Sequence, residues 1–110
     1  MGLLDKAITN SDDIKAVIVA FQQKNTCFHC VVLQFIDEPQ QGLSAIAEMA
    51  AHHGLVCGSL PRQKGFVLLP GNLDMELFSH HFSKCTRSSV IFAFSADSSS
   101  LAFETLKPYL

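Results

Sequence analysis

A chain of 110 residues is long enough for one domain of ordinary size with its own apolar core. Hydrophobic residues make up 48 % of it and charged residues only 16 %, against about 25 % charged in an average domain, so part of the exterior is expected to lie under the chain's own helices, a second copy or a protein partner. A formal charge of −2 with no basic run excludes an electrostatic grip on nucleic acid or anionic lipid.

The opening stretch MGLLDKAITNSDD has acids where a secretory leader needs basic residues, and no apolar run approaches the ~18 residues that cross a bilayer, so a cytoplasmic protein is expected. Lys6 stands where a myristoylation signal needs Ser or Thr. Leu3, Leu4 and Ile8 suit a helical turn or a strap. Ser11, followed by Asp12 and Asp13, starts a helix over about 11–24, with acids in the first turn where the helix dipole favours them. Ile14, Val17, Ile18 and Phe21 recur at 3/4 spacing and form its apolar stripe.

CFHCVVLQFI, residues 27–36, is β-branched, aromatic and nearly free of polar groups, which predicts a strand buried on both faces. Alternation places Cys27, His29, Val31, Leu33 and Phe35 on one side and Phe28, Cys30, Val32, Gln34 and Ile36 on the other. The Ala-rich run 43–53 predicts a helix with Leu43, Ile46, Ala47 and Ala50 inward, stopped by Gly54. Residues 55–60 and 66–70 flank PRQKG and read as a hairpin. Asn72 or Asp74 caps a helix through about Cys85, SVIFAFSA at 89–96 is a strand, and a short helix near 100–107 ends at Pro108. Phe92 and Phe94 then oppose Ile91 and Ala93 across the last strand.

The order β-α-β-β-α-β predicts an α+β domain with a ferredoxin-like, four-stranded antiparallel sheet, residues 27–36 and 66–70 at its centre. One domain spans 1–110: an N-terminal helical extension (1–25), the βαββαβ core (26–97) and a C-terminal helix (98–110). The second face of the sheet needs a cover, from the added helices or from another subunit. RQKGFVLLPGNLDMELFSHHFSK resembles the hairpin-and-helix segment of nucleotide-cyclase palm domains of the GGDEF family, over about a fifth of the chain. Gln63, Lys64 and Gly65 replace the signature turn, so the resemblance implies the βαββαβ order and carries over no catalytic or metal-binding residue.

The pattern C-x-x-C at Cys27 and Cys30 suits a redox couple or half a zinc set. A thioredoxin-type pair opens a helix, whereas this one enters a strand, and no second C-x-x-C completes a zinc site. Packing in the core is the expected role of the cysteines. Adjacent histidines at 52–53 and 80–81 diverge by about 100° on a helix and do not chelate. No P-loop, nucleophile elbow or opposed carboxylate pair is present. The sequence therefore leads to a non-enzymatic regulatory or assembly module acting through homodimerisation or a protein partner, without cofactor or metal. Small-ligand sensing is the alternative, and a small enzyme using a cleft near His29 is a weaker one. His29, a polar group on a dry strand, and Arg62 and Lys64, a cationic pair at a turn suited to phosphate, are the candidate ligand-binding residues.

Overall fold

The computed structural model describes residues 11–110; the expected turn or strap at 3–8 lies outside them. The described residues form four helices and one sheet of four antiparallel strands: α1 (Ser11–Lys24), β1 (Phe28–Phe35), α2 (Pro39–His53), β2 (Val56–Leu60), β3 (Lys64–Pro70), α3 (Met75–Cys85), β4 (Ser88–Ala96) and α4 (Ser99–Leu106). A 3₁₀ turn, Lys107–Tyr109, follows. The strand order is β2-β3-β1-β4, so β1 and β3 have neighbours on both sides and β2 and β4 form the edges.

The two pleats of β1 feed two separate cores. Phe28, Cys30 and Val32 pack with Ile14, Ile18 and Phe21 of α1 and Ala102 and Leu106 of α4. Val31, Leu33 and Phe35 pack with Leu43 and Ile46 of α2 and Phe82 of α3. The sheet is therefore the middle of three layers, and its second face is closed by helices of the same chain. Rings reinforce that closure. Phe21 meets Phe28 edge-on at 5.7 Å, and Lys15 lies over the Phe103 ring at 5.7 Å, joining α1 to α4.

Gln22 ties the same two helices through polar contacts. Its Nε2 donates to the Asp97 carbonyl at 2.8 Å, and its Oε1 accepts from the Ser99 N–H at 2.7 Å. Ser98 Oγ accepts from the Leu101 N–H. The first turn of α4 is thus capped twice, once locally and once from α1.

Local differences from the sequence reading have physical causes. Helix α2 starts at Pro39 rather than 43, because proline suits a first helical position where no N–H is needed. Asp74, not Asn72, caps α3, with its carboxylate accepting from the Leu77 N–H. Val32 faces Phe92 while Leu33 faces Val90, so Ile91 is an extra residue in β4, a β-bulge. The bulge sends Val90 and Ala93 to the α2/α3 side and Phe92 and Phe94 to the α1/α4 side. Ile91 does not share a pleat with Ala93; it is left exposed.

Replacing Gln22 by Leu is expected to lower stability by about 1–2 kcal/mol, since two backbone groups at the start of α4 lose their partners. Denaturant unfolding measures the loss, and faster amide exchange confined to residues 99–106 assigns it to α4.

Candidate functional site

His29 lies one residue into β1, half-buried, and both its ring nitrogens are engaged. Nε2 is 3.2 Å from the Gly71 carbonyl, which can only accept, so Nε2 carries the ring proton. Nδ1 is then bare and accepts the hydroxyl proton of Ser95, 2.7 Å away and directly opposite on β4. A serine hydroxyl, an imidazole base and an orienting carbonyl therefore stand in line at one end of the sheet. Ser95 is exposed. It borders an open pocket of about 320 Å³ shared with Cys27, Ala96, Asp97 and Leu101.

Gly71 makes the orienting group possible. Its N–H donates to the Cys27 carbonyl at 3.0 Å, drawing the end of β3 against the entry to β1. A Cβ at residue 71 would come within 2.6 Å of the Cys27 carbonyl oxygen, and that backbone is already fixed by the strand that follows.

Arg62 and Lys64 are not part of this arrangement. Lys64 pairs with Gln34, five residues beyond His29 along β1, so the cationic turn and the imidazole are about 17 Å apart. Arg62 and Gln63 both adopt positive φ, 62° and 59°. Gln34 Nε2 donates to both their carbonyls at 3.1 Å, and Gln63 Nε2 donates to the Asp37 carbonyl. The turn is fastened to the end of β1 by neutral amides, and the three residues singled out by sequence do not converge.

The thiols of CFHC differ sharply in environment. Cys27 is exposed ahead of β1, which corrects its expected place in the core, whereas Cys30 is fully buried under α1 and α4. Burial pushes the Cys30 thiol far above its ordinary range and raises that of Cys57 to about 11. Neither buried thiol is a nucleophile near neutral pH, and the two members of C-x-x-C do not form a couple. Cys85 side-chain placement lies outside the described residues.

The outer edge of β4, which no other strand pairs among the described residues, is the other feature of note. Its nine residues, SSVIFAFSA, contain no charge and no proline. Arg87 and Asp97 bracket it, and Arg87 Nε meets Asp37 Oδ2 at 2.8 Å on the surface. Phe92 lies 5.5 Å from Phe94 and stacks on Tyr109 at 5.6 Å, forming a half-buried aromatic flank. Among the described residues, no group of three or more His, Cys, Asp or Glu is placed to hold a metal ion, and no helix is long and apolar enough to cross a membrane.

Two outcomes check this geometry. Cys27 is expected to react with a thiol reagent in the folded protein, whereas Cys30 and Cys57 react only on unfolding; peptide mapping of the labelled chain reads this directly. Gly71→Ala is expected to cost about 1–3 kcal/mol in denaturant unfolding, because the backbone contact at residue 27 has to open. No known family model, curated protein or solved structure matches the chain.

Proposed function

We propose that this chain is a cytoplasmic assembly module with a ferredoxin-like core, extended by α1 and α4, that pairs with a second copy through the outer edge of β4. The β-α-β-β-α-β order and the antiparallel strand order β2-β3-β1-β4 support the ferredoxin-like reading of the core.

The observation that carries the assembly reading is the nine-residue outer strand with no charge, no proline and an aromatic flank. Natural edge strands are ordinarily short, charged or covered, because bare N–H and C=O groups invite another strand. β2 follows that rule: it has five residues, includes Gly58, and runs into Pro61. β4 departs from it along most of its length, its bulge apart.

The second copy is favoured as occupant by charge. Antiparallel two-fold pairing centred on Phe92 sets Ser89 opposite Ser95, and Arg87 of one copy opposite Asp97 of the other. Each end of the paired strands then carries opposite charges, and the uncharged middle meets itself. Self-association would place the low charge content of the chain in an interface.

Sedimentation velocity over a wide concentration range is expected to show a reversible dimer. Ile91→Lys, at an exposed position, is expected to weaken it at least tenfold, about 1.4 kcal/mol, with an unchanged circular dichroism spectrum. A strict monomer at the highest concentration reached, or a dimer indifferent to Ile91→Lys, refutes pairing through this edge.

A further inference from the structure

We propose that Ser95 is an activated hydroxyl that accepts the acyl group of small neutral esters or thioesters. This goes beyond assembly and does not depend on it: paired strands project their side chains to the faces of the sheet, so edge pairing leaves the Ser95 hydroxyl beside His29. The supporting geometry is the tautomer fixed by Gly71: with the ring proton held on Nε2 by a carbonyl, Nδ1 faces the Ser95 hydroxyl as an acceptor at 2.7 Å. The hydroxyl is exposed, whereas its base is half-buried and fixed on a central strand. Base and nucleophile come from adjacent paired strands, so their separation is set by the sheet rather than by a loop.

The adjoining pocket defines the class of donor. Ala96 and Leu101 give it an apolar wall, and Leu101 belongs to the first turn of α4. Asp97 stands on the same rim and disfavours an anionic donor. A short, uncharged acyl chain fits both features.

The transfer balances without a redox partner. Ser95 Oγ bonds to the carbonyl carbon as its proton passes to His29 Nδ1. The Nε2–H stays on the Gly71 carbonyl, whose lone pairs stabilise the transient imidazolium. Collapse breaks the C–O or C–S bond, and the departing alkoxide or thiolate takes the proton from Nδ1. The products are O-acylated Ser95 and a free alcohol or thiol. An acyl group there sits on the outer strand, at the rim of that pocket.

The probe is p-nitrophenyl acetate at neutral pH, with Cys27→Ala in every protein so that the thiol on the same rim cannot take the label. A stoichiometric burst of p-nitrophenolate is expected, with the mass of an acetyl group on the peptide containing Ser95. Ser95→Ala removes that label, and His29→Gln slows it by at least about 100-fold. Unfolding the reference chain in urea, which keeps both side chains but separates them, is expected to slow it equally; this holds even if His29→Gln fails to fold. Acetylation of Ser95 at the same rate in the folded, His29→Gln and urea-unfolded chains overturns the proposal. So does a folded protein in which Ser95 takes no label.

Discussion

β1 is a strand with apolar side chains on both pleats, and such a strand has to be covered twice. Phe28, Cys30 and Val32 on one side and Val31, Leu33 and Phe35 on the other are all buried. Helices α2 and α3, which connect the strands, supply one cover; the other has to come from helices at the two ends of the described chain. Every buried aliphatic side chain there adds about 1.5–3 kcal/mol of transfer free energy relative to exposure. Leaving that face wet would offset much of a marginal folding free energy. The pairing of α1 with α4, and the Gln22 contacts that fix it, follow from this one requirement.

Once both faces are closed, only the rims of the sheet offer unpaired backbone. The two rims are unlike. β2 is short and lies under α2, while β4 runs for nine residues with its outer hydrogen-bonding groups unpaired by another strand among the described residues. His29, one of two polar residues in β1 with Gln34, sits where the strand begins, beside the loop that carries Gly71 and across from Ser95 of β4.

Much of this architecture is legible in the residues. The 3/4 spacing of Ile14, Ile18 and Phe21 marks α1 and its buried face, and the near-continuous apolar runs mark the two inner strands. The bulge at Ile91 leaves no such mark, because no glycine or proline accompanies it and only the register against β1 reveals it. Cys27 and Cys30 look equivalent as letters, yet the strand starts between them. Ser95 has no local signal: it is one of six serines between residues 88 and 100, and its partner is 66 residues away. Arg62 and Lys64 attracted notice through charge, but neutral Gln34 and Gln63 organise that turn.

The Gln22–Ser99 contact spans 77 residues of sequence, and that separation has a consequence for biosynthesis. An eight-residue helix is too short to persist alone, so α4 forms only against α1 and the sheet. During synthesis at about 5–20 residues per second, the Phe28 face of the sheet waits half-covered for several seconds until residue 106 clears the ribosome. For that interval the nascent chain presents an unfinished apolar surface, and α4 is the helix that withdraws it from water.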